Sequence, residues 1–250
     1  MLFRSMAMGQ LTAPDLYLRI GAPLTGKSFA KLYSESPAPI LLFEAWGEAR
    51  EPNLFPSIVL QGGKHAWISS LTKTPAHFSL NPWVQEFTAL LKKNQAKLQT
   101  LIEKETSLSE PHFHFYFGKK VNCGNLFLGN SMPIRDFQTF FQANEGSNTL
   151  HSFSNRGLSG IDGLIASAVG VAMGNKEPTN VILGDLSTLH DLSSFSLLSE
   201  FRSELNLNLW VLNNGGGEIF RVVPTAKAPG EADWFTTPKN FDVSAVAKSF

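Results

Sequence analysis

The sequence predicts an α/β protein with parallel sheets flanked by helices, and three observations carry this. Short β-rich runs alternate with helical stretches between residues 16 and 212, and strands that alternate with helices pack as a parallel sheet covered on its faces. Glycine-rich or Asp/Asn-rich loops follow several of the strand candidates, and ligands of open parallel sheets sit at the carboxyl ends of the strands. The hydrophobic share is 43% with 20 phenylalanines in 250 residues, enough apolar side chain for one large or two medium cores.

In chain order, the first strand is expected at Leu16–Ile20, ending at Gly21 and leading into a helix over Ser28–Tyr33. Strands follow at Ile40–Phe43, after a proline-rich turn, and at Ser57–Leu60, between Pro56 and Gly62. A helix is expected from Pro82 to about Glu105: Asn81 can cap it, Pro82 suits the first helical position, and Trp83, Val84, Phe87, Leu90, Leu91, Leu98 and Leu101 recur at helical steps. The polar stretch Thr106–Pro111 marks a boundary. Two domains are therefore expected, 1–108 and 109–250. In the second, the pattern gives strand Gly124–Asn130, loop Asn155–Asp162 and a small-residue helix Gly163–Met173. Strand Asn180–Leu183, helix Asp191–Phe201, strand Leu207–Leu212 and helix Val243–Phe250 complete it. Asn130, Asp185 and Asn213-Asn214 each fall just beyond a strand end.

Twenty-one basic residues balance 21 acidic ones. A net charge of zero argues against a nucleic-acid-binding surface and against a polybasic membrane patch. Cys123 is the single cysteine, so no intrachain disulfide forms. No apolar run reaches the ~20 residues of a membrane span, and no signal peptide is recognisable. A cytoplasmic protein is expected. Cys123 reads as a buried structural thiol. His112 and His114 alternate with Phe113, Phe115 and Phe117. Alternation on a strand would put both imidazoles on one face, but no third ligand is near in sequence, so a half-exposed edge or helix start is expected in place of a metal site.

The strongest constellation is Gly184-Asp185 after one strand and Asn213-Asn214-Gly215-Gly216-Gly217 after the next. Taken singly, each is an ordinary turn. Together they offer a carboxylate, an amide oxygen and a loop carbonyl, the hard oxygen ligands that Mg²⁺ shares with phosphate oxygens. The glycines let the backbone come close to a ligand.

This pairing resembles the diphosphate-binding domain of thiamine-diphosphate enzymes, whose general form is Gly-Asp-Gly followed by Asn-Asn. Leu186 departs from that form, and Gly184-Asp185-Leu186-Ser187 followed by Asp191-Leu192 resembles the MenD-type synthases of menaquinone biosynthesis. Gly129-Asn130-Ser131 with Arg135, Ser154-Asn155-Arg156-Gly157 with Ser159-Gly160-Ile161-Asp162-Gly163, and Asn213–Gly217 with Ile219-Phe220 are similar to the same family and occur in its order, over Leu128–Thr225. Over residues 13–110 the likeness rests mainly on Leu24-Thr25-Gly26-Lys27.

The resemblance implies a thiamine-diphosphate-enzyme fold, with a central domain over 1–108 and a diphosphate-binding domain over 109–250, both incomplete. It implies thiamine diphosphate and Mg²⁺, for which Mn²⁺ can substitute. Asp185, Asn214 and the Gly216 carbonyl would hold the metal. Leu186, Ser187 and Ile219 would line the cofactor, and Ile161 would wedge between its rings. Lys27, Asn130, Ser131, Arg135 and Arg156 would face the substrates, 2-oxoglutarate and isochorismate, with Ile219, Phe220 and Val223 as an apolar wall. Both substrates carry two carboxylates, which arginine captures in bidentate fashion. The implied reaction decarboxylates 2-oxoglutarate and adds the succinyl carbanion equivalent to isochorismate, in a homodimer or homotetramer. The glutamate that activates the cofactor belongs, in this family, to an N-terminal pyrimidine-binding domain with no match in the sequence. No catalytic residue is assigned in this chain, which is expected not to turn over alone unless an acid such as Glu44, Glu48 or Glu218 stands in.

Two other classes compete. Gly21-Ala22-Pro23-Leu24-Thr25-Gly26-Lys27-Ser28 fits the Walker A pattern between a strand and a helix. Pro23 has no N–H to offer a phosphate, which disfavours a P-loop NTPase. A non-catalytic assembly domain is disfavoured by the presence of Asp185, Asn214, Arg135 and Arg156 together.

Overall fold

The computed structural model describes residues 14–20, 27–44, 57–63, 65, 69, 82–142, 149–222, 231–237 and 241–250. The chain divides into two compact units, Met1–Thr106 and Ser107–Phe250. The fold is α/β, with two all-parallel sheets accompanied by helices.

In the first unit, β1 (Tyr17–Ile20), β2 (Ile40–Glu44) and β3 (Ser57–Gln61) pair in parallel in the order β1-β2-β3. Helix α1 (Lys27–Glu35) makes the crossover between the first two strands, and its Tyr33 packs edge-on to Tyr17 with ring centroids 4.8 Å apart. Leu42, in the central strand, is fully buried. Helix α2 (Pro82–Lys104) starts at the proline expected to open it.

The second unit holds a sheet in the order β5-β4-β6-β7, built from β4 (Cys123–Leu128), β5 (Thr149–Phe153), β6 (Thr179–Gly184) and β7 (Leu207–Leu212). Its helices are α3 (Glu110–Lys120), α4 (Met132–Phe140), α5 (Leu164–Asn175), α6 (Asp185–His190), a 3₁₀ turn Leu192–Ser194, α7 (Phe195–Glu200), α8 (Ile219–Val222), α9 (Glu231–Thr236) and α10 (Val243–Ala247). Successive strand residues face opposite sides, and the core divides accordingly. Phe127, Val181 and Leu183 pack with Leu164, Ile165, Ala168 and Phe195 on one side. Leu126, Leu128 and Ile182 pack with Phe117, Ile134 and Phe137 on the other. Each fully buried side chain of this size contributes roughly 1.5–3 kcal/mol, and coverage of both faces explains why β6 is buried along almost its whole length.

The chain runs from β4 to β5 on one side, then returns past β4 to β6 and β7 on the other. The crevice at such a reversal, between the carboxyl ends of β4 and β6, is the usual ligand position in open parallel sheets. At the opposite, amino-terminal end of these strands, β4 and the residue before β6 approach closely. Gly124 has φ +88°, and a Cβ at that point would lie 2.4 Å from the Pro178 carbonyl oxygen, so the strand accepts only glycine.

Several expectations are corrected. His112 and His114 lie in the opening turns of helix α3, which is the helix-start alternative, but both are buried where half-exposure was expected. Helical residues two apart do not share a face, and Ser109 Oγ bonds His112 Nδ1 at 2.7 Å. Cys123 is exposed, because it is the first residue of β4 and precedes the covered part of the strand. The helix expected over Asp191–Phe201 begins instead at Asp185 and breaks at Asp191. The break has a cause: Asp191 is buried and accepts from the Ile165 backbone N–H at 2.6 Å and from Ser194 Oγ at 2.7 Å, capping the start of α5 from another element. Strand β5 and helices α4, α8 and α9 form where no element was expected.

His114 gives a pH-dependent prediction. It is fully buried, with neither ring nitrogen hydrogen-bonded among the described residues, and burial lowers its pKa from 6.5 to about 4. Above pH 6.5 both folded and unfolded forms are neutral there and the group contributes nothing. Below it, the unfolded chain binds a proton that the folded chain refuses until about pH 4, so stability is lost as pH falls through that window. The loss reaches about 3 kcal/mol. In urea unfolding, His114→Phe is expected to gain on wild type progressively from pH 6.5 to 4, and a constant difference would refute this.

Candidate active site

A cleft of about 350 Å³ opens at the reversal point of the second sheet. Five chain segments build it: the first turn of α3, the loop after β4 with the start of α4, the loop after β5, the turn from β6 into α6, and the glycine loop after β7 with α8. Asn130, Ser131, Arg135, Arg156, Ile161, Asp185, Leu186, Ser187, Asn214, Gly216, Ile219 and Phe220 all line it. Twelve of the fourteen residues expected at the site are thus brought together. Lys27 opens α1 in the other unit, and its side chain lies outside what is described; Val223 lies outside the described residues, as does the loop over residues 21–26.

At the end of β6, Asp185 is 1% exposed. Its Oδ1 accepts from the Leu186 N–H at 2.7 Å and its Oδ2 from the Gly215 N–H at 2.9 Å, which ties the β6 turn to the glycine loop. Burial raises its pKa above the ordinary carboxylate range, while the hydrogen bonds from Leu186, Gly215 and Gly216 pull it back. Gly215 and Gly216 have φ of +87° and +145°, which only glycine adopts readily. A Cβ on Gly184 or Gly215 would meet nothing within 4 Å, so the backbone here borders open space. Gly217 N–H donates to the Thr236 carbonyl at 2.7 Å, fastening the loop to α9.

Asp185, Asn214 and Gly216 line the same cleft, and each has an oxygen atom, the ligand type that hard divalent cations take. Among the described residues no group of three or more His, Cys, Asp or Glu is placed to hold a metal. A single carboxylate with neutral oxygens suits a cation whose remaining ligands come from a phosphate-bearing molecule.

Two arginines also line the cleft. Arg135 donates to the Ser131 carbonyl, and Ser131 is held at φ +71°, a strained position for a residue with a Cβ. Asn130 is 2% exposed and fully engaged. Its Nδ2 donates to the carbonyls of Asn155 at 3.0 Å and Gly160 at 2.7 Å, and its Oδ1 accepts from Arg156 Nη1 at 2.6 Å. Asn130 therefore acts through the loop and through Arg156. Arg135 has its pKa lowered, first by burial and then by the Arg156 charge, with Asp136 opposing. Two guanidiniums that repel each other and line one cleft favour an anion near them.

The sequence reading missed Glu110. It lines the cleft from the first turn of α3, and its Oε1 accepts from Asn214 Nδ2 at 2.7 Å. Asp136 of α4 is 5% exposed and lies beside Glu110. Burial, and then the neighbouring Glu110 carboxyl and its charge, push the Asp136 pKa up to about 8, so Asp136 holds its proton near neutrality. Glu110 has no local sequence signal, since it stands in the polar stretch that reads as a linker. Of the acids considered as stand-ins, Glu218 lines the cleft and pairs with Arg221 at 2.8 Å. Glu44 is buried at the end of β2, and Glu48 lies outside the described residues.

No family model matches the chain. Curated proteins named 2-succinyl-5-enolpyruvyl-6-hydroxy-3-cyclohexene-1-carboxylate synthase do. The one from Myxococcus xanthus is 34% identical over 239 residues, 94% of this chain and 40% of that protein. Those from Chlorobium phaeobacteroides and Chloroflexus aurantiacus are 32% and 31% identical, over 95% and 94% of the chain and 41% and 40% of their own lengths. The chain is homologous to these synthases. It spans about 40% of their length. The synthase likeness runs through both units, since a Bacillus pumilus synthase aligns with the whole chain at 28% identity. No helix among the described residues is long and apolar enough to cross a membrane.

Proposed function

We propose that this chain forms the diphosphate- and metal-binding part of a thiamine-diphosphate-dependent synthase of menaquinone biosynthesis, acting on 2-oxoglutarate and isochorismate. The observation that supports it best is the convergence in one cleft of the Asp185–Asn214–Gly216 oxygens and the Arg135–Arg156 pair. The unit over 109–250 is the diphosphate-binding domain in this reading, and that over 1–108 the central one.

The residues present fit the cofactor. Asp185, Asn214 and the Gly216 carbonyl would hold Mg²⁺, and the glycine loop leaves room for a diphosphate beside it. Leu186, Ser187 and Ile219 would flank the cofactor, with Ile161 as its apolar support. When bound, thiamine diphosphate supplies the nucleophilic carbon that lets a 2-oxo acid lose CO₂. The protein's part is binding, orientation and charge. Arg135 and Arg156 would pair with substrate carboxylates, Ser131 and the Asn130-braced loop would hold those arginines in place, and Phe220 would exclude water on the apolar side. Lys27 and Val223 are carried in this proposal from the sequence likeness alone. Proton transfer at the cofactor needs a carboxyl that the synthase family places outside the portion matched here, so turnover is assigned to the synthase at the length of its relatives. A homodimer or homotetramer accords with Leu158, which is fully exposed on the cleft-lining loop, and with the exposed Val222 and Trp234.

Isothermal titration of residues 1–250 with thiamine diphosphate tests the reading. Binding is expected with Mg²⁺ and not with excess chelator. Equal binding under both conditions would refute the metal–diphosphate assignment.

A further inference from the structure

We propose that Glu110 is the positioning residue of the glycine loop: by holding Nδ2 of Asn214 it turns the side-chain amide so that Oδ1 is the atom offered to the cation. The inference rests on the reading of Asp185, Asn214 and Gly216 as the metal–diphosphate set.

Asn214 is exposed and is followed by three glycines, two of them at positive φ. A backbone of that kind does not dictate the rotamer of a neighbouring asparagine, whose amide can present either oxygen or nitrogen to the cleft. The choice matters, because only the oxygen is a ligand for a hard cation. An ionised carboxylate is acceptor-only. A carboxylate 2.7 Å from the Asn214 side chain therefore selects its NH₂ group and leaves Oδ1 as the free end. Among the described residues no hydrogen bond engages that oxygen.

Glu110 is itself fixed. Pro111 follows it in the first turn of α3, where a proline pre-sets the helical backbone. The buried Asp136 of α4 lies beside its carboxyl. Arg135, the next residue back on α4, reaches the same cleft. The acid pair thus links the glycine loop to the helix that carries the arginine. Partners of this kind behind metal ligands set metal affinity through orientation.

The test uses residues 1–250 with Mn²⁺ and thiamine diphosphate, free Mn²⁺ being read from its electron paramagnetic resonance signal. Glu110→Ala is expected to weaken Mn²⁺ uptake about 10- to 100-fold, whereas Glu110→Gln, which keeps an acceptor oxygen, should stay within about threefold of wild type. In an Asn214→Ala background, Glu110→Ala should cost nothing further, a non-additivity that a merely structural role would not produce. Should Glu110→Ala fail to melt cooperatively, Asn214→Asp replaces it. That variant keeps an oxygen and adds charge but loses the N–H that Glu110 holds, and it should bind Mn²⁺ more weakly; tighter binding would overturn the proposal. Wild-type uptake by Glu110→Ala, with none by Asp185→Ala, would overturn it while leaving the metal reading standing. An additive loss in the Asn214→Ala background would also overturn it. No uptake by wild type would remove the metal reading and this inference with it.

Discussion

Asp185→Ala should lower the Mg²⁺-dependent affinity for thiamine diphosphate by at least about 100-fold, the upper end of what even outer partners of metal ligands cost. Asp185 is the only carboxylate of the proposed metal set, and it is almost wholly buried. Burial already disfavours its charge, so a bound cation compensates a desolvated anion. The substitution removes that charge and also frees the Gly215 N–H, which loosens the loop carrying the other two ligands. Asp185→Asn, which keeps shape and one oxygen, should fall between. The raised carboxyl pKa adds a pH signature. Proton and metal compete for the same oxygens, so affinity in wild type should weaken as pH falls, and Asp185→Asn should abolish that slope. Calorimetry across pH reads both effects. An Asp185→Ala variant that binds like wild type would refute the assignment.

Arg135→Ala and Arg156→Ala should each reduce kcat/KM for the decarboxylative addition by roughly 10- to 150-fold, the equivalent of about 1.5–3 kcal/mol for a charged hydrogen bond. The assay is CO₂ release by the synthase at the length of its relatives. The two arginines differ in support. Arg135 is half-buried and braced by the Ser131 carbonyl, whereas Arg156 is exposed and held by Asn130. Asn130→Ala should therefore reproduce much of the Arg156→Ala effect without removing a charge, and it should add little to it in the double variant. Arg135 loses a repelling neighbour when Arg156 is removed, because the Arg156 charge lowers its pKa. Loss in the Arg135→Ala/Arg156→Ala double variant is thus expected to differ from the product of the single losses. Unchanged kcat/KM in both single variants would remove the arginines from substrate capture.

Much of this site was legible in the sequence because its residues sit at strand ends, where short hydrophobic runs stop abruptly. Strand Leu207–Leu212 was placed to the residue, and Asp185 and Asn214 follow from where β6 and β7 end. Strand β5 escaped notice because it is a sheet edge with four of its five residues exposed, so it lacks the alternation that a covered strand shows. Helix α3 was hidden by its own opening: Ser109-Glu110-Pro111 reads as a linker, yet proline in the first turn starts a helix as readily as it ends one. Glu110 stands 104 positions from Asn214, and no local pattern reports a partner that only folding supplies. Asn130 lines the cleft as its place in the Gly-Asn-Ser run suggests, but its three hydrogen bonds, to a loop 25–30 residues further on, carry no local sequence signal.

The position of the metal is the most direct test. Crystals of residues 1–250 grown with thiamine diphosphate and Mn²⁺ would give the ion as an anomalous difference peak. The peak should lie within about 2.5 Å of an Asp185 carboxylate oxygen, Asn214 Oδ1 and the Gly216 carbonyl oxygen, with diphosphate oxygens completing the sphere. A peak bound to other residues, or cofactor density in the cleft with no metal between the diphosphate and Asp185, would contradict the account.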